Sequence, residues 1–290
     1  MEKYIKIKLP WILLCFLLIF ADAAVFADET LTMGVFPRRN SGVTTKMFKP
    51  LSNYLSQETG VKIKLETAKN FPAFWRNVRG KRYDIAHFNQ LHYLMSKDSV
   101  GYEVFAKNEE FGKSVVAPAI AVRKDSGINT LEDLKGKRII FGGGKLAMIA
   151  HVGIKNLLYD AGLTAKSYTS MMGKNPPNAA MAVYFKKADA AGIGDIGLSV
   201  PILKKKININ EMMIIETGKP HAHIPWVFKS SLPDDVKNKI KQAVGKLNSS
   251  PDGKKILKRA GMTGLVAASD RDYDASRAEM KKYNENFEGL

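Results

Sequence analysis

Residues 30–67, TLTMGVFPRRNSGVTTKMFKPLSNYLSQETGVKIKLET, decide the fold class of this chain. The first seven residues form an apolar run that is typical of a strand. Met47, Leu51 and Leu55 then recur at helical spacing until Gly60, a residue type that commonly ends helices. The last seven residues begin by alternating apolar residues with lysine, which indicates a strand with one solvated face. Because the order is strand, helix, strand, the stretch predicts two parallel strands joined by a helix.

The same alternation continues along the chain. Residues 70–81 predict a helix that begins near a proline and carries an apolar stripe. We assign the aromatic members of that stripe, Phe71, Phe74 and Trp75, to the hydrophobic core, and a ligand-binding aromatic cage is the alternative. Residues 83–88 predict a third short strand. The first part of the chain therefore predicts a strand and helix alternation with a parallel sheet and helices on its faces.

A second α/β unit begins at RIIFGGG, residues 138–144, a short apolar strand that ends in three glycines. Residues 145–163 follow as a predicted helix, and residues 189–195 predict a further buried strand. Two extended apolar segments, near 115–124 and 221–229, are the expected crossings between the two units. Open α/β sheets bind ligands beyond the carboxyl ends of their strands. We therefore expect a ligand between two facing units.

Residues 1–27 have the three-part plan of a secretory signal peptide. Three lysines precede an apolar core at residues 9–21, and Val25 and Ala27 occupy the small-residue positions before a cleavage site, which we place after Ala27. The alternative is an uncleaved anchor, but the apolar core is shorter than the roughly 20 residues that a spanning helix needs. The sequence therefore predicts export to the periplasm and removal of the signal.

Cysteine content and charge restrict the possible functions. The only cysteine, Cys15, lies in the predicted signal, so the exported chain is expected to have neither disulfides nor thiolate chemistry. The net charge is +17, and removing residues 1–27, with Glu2, Asp22 and three lysines, leaves +16. Such a field attracts anions, although a solvated basic surface is the alternative. Export and the dispersed basic residues argue against a nucleic-acid partner.

Three segments resemble one known family. YDIAHFNQLHY (83–93), AIAVRKDSGINTLEDLKGKRIIFG (119–142) and KADAAGIGD (187–195) stand in the order and spacing of the periplasmic substrate-binding proteins of phosphate/phosphite/phosphonate ABC transporters. The resemblance covers the chain from about residue 31 to about residue 261. It implies an α/β, two-lobed type II periplasmic-binding-protein fold. Each lobe is then a mainly parallel sheet flanked by helices, and two crossing strands form the hinge.

The resemblance also implies a division of the chain and a function. After the signal at residues 1–27, residues 28–120 begin the first lobe, residues 121–222 form the second, and residues 223–290 return to the first lobe and add C-terminal helices. The implied function is the periplasmic solute-binding component of an ABC importer. It is expected to hold a small oxyanion, such as phosphate, phosphite or a phosphonate-like ligand, between its lobes and to dock on a membrane permease. We expect a monomer that needs no cofactor, is not an enzyme and binds no nucleic acid.

The resemblance places candidate ligand-binding residues at the ends of several strands. The family holds its anion after a strand, at residues 142–145 here, which we call the glycine loop; a bare tight turn is the alternative. The family's hydroxyl residues are missing from this loop. An aromatic ligand residue matches Tyr93, and an acid matches Asp195, which could instead cap the next helix. A phosphate-cradling P-loop is excluded, because Ile139 and Leu146 replace its glycine and its serine or threonine. The candidates are Asn89, Tyr93, Gly142, Gly143, Gly144, Lys145, Asp195, His221 and His223.

Four histidines support an alternative site. The sequence HAH places His221 and His223 on one face of a strand, and His87 and His92 flank the segment FNQL. If these four side chains met at the cleft, they could bind a transition metal or a metal chelate, or an oxyanion when protonated. Separate hydrogen-bonded histidines are the other interpretation. A ligand sensor that reports to a membrane kinase is a further alternative to transport.

Overall fold

Two β-sheets with helices on their faces organise the part of the chain that this computed structural model describes, residues 30–37 and 39–287. The predicted signal peptide lies outside the described residues. Within them, no helix has both the length and the apolar character that crossing a membrane would require. The strands are β1 (Thr30–Val35), β2 (Lys62–Thr67), β3 (Ile85–His87), β4 (Tyr102–Glu109), β5 (Val115–Val116), β6 (Pro118–Arg123), β7 (Arg138–Phe141), β8 (Thr169–Met172), β9 (Ala190–Gly194), β10 (Met212–Thr217), β11 (His221–Ala222), β12 (Pro225–Lys229) and β13 (Gly264–Ala267). The α-helices are α1 (Ser41–Thr59), α2 (Phe71–Arg79), α3 (Gln90–Ser96), α4 (Ile154–Asp160), α5 (Pro176–Tyr184), α6 (Pro201–Lys204), α7 (Asp234–Ser249), α8 (Pro251–Ala260) and α9 (Asp274–Asn286).

The first sheet has the strand order β13-β4-β12-β3-β1-β2. β1 runs parallel to β2, which confirms the strand, helix and strand unit that residues 30–67 predict, and it also runs parallel to β3. β12, β4 and β13 join in antiparallel pairs. The sheet is therefore mixed, whereas the sequence predicted a mainly parallel one. The physical reason is the route of the chain. β12 enters this sheet from the second sheet and runs opposite to β1, β2 and β3, which α1 and α2 connect.

The second sheet has the strand order β10-β6-β9-β7-β8. β7 lies between β8 and β9 and runs parallel to both of them. β6 pairs antiparallel with β9 and with β10, so this sheet is also mixed. The predicted glycine loop follows β7, an internal strand, and therefore leaves the sheet at its carboxyl edge, where open α/β sheets hold their ligands.

Two connections join the sheets and form the hinge. The chain leaves the first sheet at β4, passes through β5 to β6, and returns from β10 through β11 to β12. β5 and β11 pair with each other in a short antiparallel ladder. This arrangement confirms the predicted fold with two crossing strands. The predicted lobe boundary at residue 120 falls inside β6, so strand membership puts the outward crossing a few residues earlier, at Val115–Val116.

A local capping interaction explains where α1 begins. The Asn40 Oδ1 accepts a hydrogen bond from the Val43 N–H at 2.9 Å, which satisfies one of the free donors at the helix start. Gly60 ends the helix in the left-handed conformation, with a φ of 71°. Leu51 and Leu55 are buried in the core under the sheet. The predicted terminator and apolar stripe are thus both confirmed.

The segment after the glycine loop differs from the sequence prediction of one helix over residues 145–163. A turn comes first, closed by a hydrogen bond from the Ala147 N–H to the Gly144 carbonyl at 2.8 Å. A π-helical segment, Met148–Gly153, follows and continues into α4. Helical structure is therefore present, but it begins at Met148, and the regular α-helix covers only Ile154–Asp160. Such π-helical segments occur frequently at functional sites.

The C-terminal helix α9 connects the two lobes. Its Tyr283 is buried in one apolar cluster with Leu91 of α3 and with Met148 of the π-helical segment. The side-chain N–H of Asn156, in α4, donates a hydrogen bond to the Glu279 carbonyl in α9 at 2.8 Å. Since α3 follows the first sheet and α4 belongs to the second unit, these contacts hold the lobes in their present relative position.

Candidate functional site

A cleft of about 530 Å³ lies between the two lobes. The ends of α2, α3 and α5 meet there with the glycine loop and with the hinge. The first lobe and the hinge contribute Phe36, Arg39, Phe71, Pro72, Trp75, Asn89, Gln90, His92, Glu110, Val116, His223 and Ile224. The second lobe contributes residues 142–150 and 174–177, together with Gly194, Ile196, Gly197 and Val200. The cleft therefore combines a polar loop with walls that are largely apolar.

The glycine loop presents backbone donors to this cleft. The Gly142 N–H donates to the Gly192 carbonyl at 2.8 Å, so this residue is tied to the neighbouring strand β9. Among residues 30–37 and 39–287, nothing accepts a hydrogen bond from the N–H groups of Gly144, Lys145 or Leu146. Consecutive free N–H groups form a concave, partly positive surface that suits an anion. The loop is therefore a candidate anion site even though it lacks hydroxyl side chains.

The three glycines differ in what surrounds them. A Cβ on Gly142 would lie 2.7 Å from the Pro176 Cα and 2.8 Å from the Gly192 carbonyl oxygen. A Cβ on Gly143 would lie 2.8 Å from the Ala147 Cβ. A Cβ on Gly144 would meet nothing within 4 Å. Protein backbone thus excludes a side chain at the first position, whereas only the third opens onto free space.

Replacing Gly142 by alanine is expected to destabilise the second lobe. The new methyl group would overlap main-chain atoms of two neighbouring segments, and relieving such overpacking typically costs about 1–3 kcal/mol. Urea denaturation of Gly142→Ala should therefore show a lower midpoint with an unchanged slope. Gly136→Ala is an unsuitable control because its φ is positive. Gly245→Ala has open space around it and should leave the midpoint at or above the wild-type value.

Asn89 links the two walls of the cleft. Its Oδ1 accepts a hydrogen bond from the His92 N–H at 3.0 Å and so caps α3. Its side-chain N–H donates to the Leu146 carbonyl, at the end of the glycine loop, at 2.9 Å. The predicted candidate Asn89 therefore lines the cleft, but both the oxygen and the nitrogen of its side-chain amide already have hydrogen-bond partners in the protein. It positions the loop opposite α3.

His92 is the least satisfied polar side chain of the cleft. It is almost completely buried, and neither ring nitrogen has a hydrogen-bond partner among the described residues. Its ring stacks on Trp75 with a centroid separation of 5.0 Å. Desolvation lowers the pKa of His92 to about 4, so the imidazole is neutral near pH 7. A neutral ring offers one donor and one acceptor to a ligand.

Three aromatic side chains form the upper part of the first-lobe wall. Phe36 and Phe71 meet edge to face with ring centroids 5.8 Å apart, and Phe71 is 38% exposed. Trp75 lines the cleft beside them while also packing against the core. The sequence assigned Phe71, Phe74 and Trp75 to the core. Only Phe74 of these three is fully buried, whereas Phe71 and Trp75 also line the cleft. The apolar stripe of α2 therefore extends beyond the part of the helix that packs on the core, and the remaining apolar side chains line the cleft.

Charged groups at the cleft are mainly cationic. Arg39, Lys145 and Lys174 line it, whereas Glu110 is the acidic lining residue among the described positions. Glu110 is buried and accepts a hydrogen bond from the Asn108 side-chain N–H at 3.0 Å. Its other carboxylate oxygen lies 3.8 Å from the Nε2 of His223. The excess of cations favours an anionic ligand.

The remaining predicted ligand residues have other partners. The Tyr93 hydroxyl donates to the Asp270 carboxylate at 2.6 Å, and burial raises the pKa of Tyr93. Asp195 accepts hydrogen bonds from the Ala117 N–H and from the Lys113 ammonium, across the hinge. It does not cap the following turn, which has no side-chain cap. The His221 Nδ1 lies 3.1 Å from the Ser276 hydroxyl, in α9. None of these three side chains is among the residues that line the cleft.

The four histidines of the alternative metal site do not converge. His87 stacks on Trp226 at 4.2 Å, whereas His92 stacks on Trp75. His223 accepts a hydrogen bond from the Ile224 N–H through its Nδ1 at 2.8 Å. Within the described part of the chain, no three histidine, cysteine, aspartate or glutamate side chains come together in a way that could hold a metal ion. The hypothesis of a four-histidine metal centre is therefore wrong for these residues.

Sequence reasoning missed several residues that line the cleft. Phe36 and Arg39 directly follow β1, and the carboxyl ends of parallel strands meet at one edge of a sheet. That signal was available and would have found both. Glu110 and Ile149 carried no comparable signal, because Glu110 follows an unpredicted strand and Ile149 lies in an unpredicted π-helical segment. Their approach to the cleft depends on how the lobes face each other.

Two mixed α/β lobes, two crossings and a ligand-sized cleft between the lobes define a binding protein of the type II periplasmic class. The chain belongs to the family of periplasmic substrate-binding proteins of phosphonate ABC transporters. The family model described as "ABC transporter, phosphonate, periplasmic substrate-binding protein" matches residues 33–273. This match confirms the resemblance that the three sequence segments carry.

Individual relatives agree with the family assignment. The phosphonates-binding periplasmic protein of Escherichia coli (strain K12) is 23% identical over 253 residues, which cover 84% of this chain and 73% of that protein. A binding-protein component of an ABC phosphonate transporter from Pseudomonas aeruginosa has a TM-score of 0.74 at 20% identity, covering 88% of this chain and 86% of that chain. PhnD1 from Prochlorococcus marinus (MIT 9301), in complex with methylphosphonate, has a TM-score of 0.76 at 18% identity. The match covers 89% of this chain and 99% of that chain. These structures share the fold of this chain.

Proposed function

We propose that this protein binds a small oxyanion at the glycine loop, between its lobes, and delivers it to an ABC permease in the inner membrane. The observation that carries the proposal is the set of N–H groups at Gly144, Lys145 and Leu146 that have no hydrogen-bond acceptor within the described part of the chain. They border a cleft whose charged side chains are mainly cationic. Backbone donors and a nearby ammonium are a common way to bind phosphate, phosphonate or sulfonate oxygens.

Closure of the lobes would provide the transport signal. A ligand that contacts the glycine loop and the α3 wall together favours the closed arrangement over the open one. The Asn89 to Leu146 hydrogen bond already joins these two walls. The proposed role needs no chemical change of the ligand, so the protein is proposed to act as a monomeric carrier and not as an enzyme. Residues 1–27 are proposed to direct export and to be removed.

The site residues of this proposal are those at the cleft. Gly144 and Lys145 contact the anion, and His92 belongs to the opposite wall. Gly142, Gly143 and Asn89 shape and position the loop. His223 lies at the hinge edge of the cleft beside Glu110. Tyr93, Asp195 and His221 support the lobes around it, through the contacts with α9 and across the hinge described above.

Isothermal titration calorimetry with a panel of anions tests this function. The panel combines phosphates, phosphonates and sulfonates of several sizes with uncharged alcohols and amides of matching shape. We expect 1:1 binding of at least one anion and none of its uncharged counterpart. Lys145→Gln should weaken that binding by about 5-fold, because it removes one cation from a partly solvated site. Lys206→Gln, an exposed lysine outside the cleft, is the matched control and should have no effect.

Two outcomes would count against the proposal. An uncharged compound that binds as tightly as its anionic counterpart would show that charge does not determine recognition. If no anion binds, from the smallest to the largest, the glycine loop is not an anion site. Neither outcome would alter the family assignment, which rests on the match over residues 33–273.

A further inference from the structure

We infer that the ligand is an oxyanion with an apolar body, of about the size of a phenyl or short alkyl group, and that this body packs against Phe71 and Trp75. The inference rests on the proposed function, since it assumes that the anionic group lies at the glycine loop. It specifies what the remainder of the cleft recognises. Inorganic phosphate and methylphosphonate would be poor ligands in comparison.

The size of the cleft is the first argument. Its volume of about 530 Å³ falls within the range of roughly 300–1,000 Å³ that pockets for larger organic ligands occupy. A bare tetrahedral oxyanion is much smaller than this. An anion held at Gly144 would therefore leave most of the space between the lobes unfilled, and the lobes would contact little of it.

The chemistry of the walls is the second argument. The first lobe presents Phe71 and Trp75 to the cleft, and the second lobe presents Ile149, Ile196 and Val200 on the other side. These side chains offer dispersion contacts and no hydrogen bonds. Apolar walls gain affinity from an apolar ligand, because its burial removes hydrocarbon surface from water.

The polar side chains of the cleft support the same conclusion, because most of them already have partners. The Gln90 side-chain N–H donates to the Ala222 carbonyl at 3.0 Å, and the Asn175 Oδ1 accepts from the Asn178 N–H at 3.0 Å. Asn89 is engaged on both sides, as described above. His92 remains as the buried polar group without a partner among the described residues, and it lies within the aromatic wall. Arg39 and Lys174 also line the cleft, and Phe71 and Trp75 form an apolar part of its first-lobe wall.

The exposure of Phe71 is the third argument. With 38% of its surface exposed, Phe71 is one of seven large apolar side chains within the described residues that are classed as exposed. It also lines the cleft, next to Phe36 and close to His92, with ring centroids 6.3 Å apart in the latter pair. A ligand with an apolar body would cover it. A small inorganic anion at the loop would not.

Calorimetry with a matched series tests the inference. The ligands are methylphosphonate, propylphosphonate and phenylphosphonate, together with methanesulfonate and benzenesulfonate, all at one pH and ionic strength. Affinity should rise with the apolar body, by about 30-fold from the methyl to the phenyl compound in at least one of the two series. That factor corresponds to burying roughly 80 Å² of apolar surface.

Two variants locate the contact. Phe71→Ala should remove most of the advantage of the phenyl compound and leave the methyl compound unchanged. Because Phe71 is 38% exposed and lies outside the buried core, this variant should stay folded, which its melting temperature without ligand checks. Phe185→Ala is the matched control, because Phe185 is 56% exposed and lies outside the cleft. It should change neither affinity.

Three results would separate the two hypotheses. Equal or tighter binding of the methyl compound would overturn this inference and leave the proposed anion site in place. A phenyl advantage that survives in both Phe71→Ala and Trp75→Phe would overturn the assigned packing surface. Binding of no anion, small or large, would overturn the proposed function itself and this inference with it.

Discussion

Gly144→Leu is expected to lower the affinity for the bound anion by at least about 100-fold, or about 3 kcal/mol, while the protein stays folded. Gly144 lines the cleft, and a Cβ built there would meet no atom of the described residues within 4 Å, its two chain neighbours apart. Its backbone does not have the positive φ that only glycine adopts easily. The leucine side chain would therefore occupy the space where the anion lies, beside the free N–H groups.

Calorimetry and thermal denaturation of the same preparation measure the two parts of this prediction. The melting temperature without ligand should change by less than about 2 °C, because no packed contact is disturbed. Gly245→Leu, in the exposed face of α7, has equally open surroundings and should retain wild-type affinity. Wild-type affinity in Gly144→Leu would exclude the glycine loop from the site. Gly142→Ala, in contrast, should affect stability first.

The second large effect is a loss of stability as the pH falls from about 6.5 to about 4. Desolvation lowers the pKa of His92, His151 and His221 from 6.5 to about 4 in each case. In this window the unfolded chain binds more protons at these positions than the folded chain does. The free energy of unfolding therefore decreases as the pH falls. Each histidine contributes up to about 3 kcal/mol by the time the pH reaches 4.

Urea denaturation at pH 7, 6, 5 and 4.5 measures this dependence. Carboxylates with lowered pKa values, such as Asp189 and Asp270, lose their contribution mainly below this window. Burial raises the pKa of Glu279, so its contribution has the opposite sign and partly offsets that of the histidines. The net expectation remains a fall in stability, since three histidines act in one direction.

His92→Phe isolates one of these contributions. Phenylalanine can keep the stacking on Trp75 but cannot bind a proton, so the free energy of unfolding should depend less steeply on pH than in the wild type. A purely structural effect would shift the stability equally at every pH. A variant that retains the full wild-type pH dependence would show that His92 is not a proton-linked group. His151→Gln provides a second, independent measurement of the same kind.

The elements that sequence analysis predicted well are those set by local patterns. α1 follows from its apolar stripe and from Gly60, and β1 and β7 from short apolar runs that end in turn residues. The strands that sequence analysis did not predict are β4, β8 and β13. β8 and β13 are four residues long, and all three are stabilised by pairing with distant segments, which local periodicity does not report.

The site shows the same division between local and long-range information. Gly142, Gly143, Gly144 and Lys145 line the cleft as the strand-to-loop pattern suggested, because a loop at the carboxyl end of a central strand faces the ligand side in this class of fold. Tyr93 and His221 stand in promising sequence contexts, but their polar atoms turn toward Asp270 and Ser276. The direction of a side chain depends on its neighbours in space.

Sequence alone determined the class of this protein: an α/β chain with two units, a basic character and the segments of one family. Those properties depend on residue types and on spacings of a few positions, which a single sequence contains in full. The tertiary structure alone decided which side chains share the cleft. It brought Phe71 and Trp75 to the same cleft as Ile149, and it buried His92 where no described residue hydrogen-bonds to its ring, because such contacts depend on how two sheets meet across a hinge.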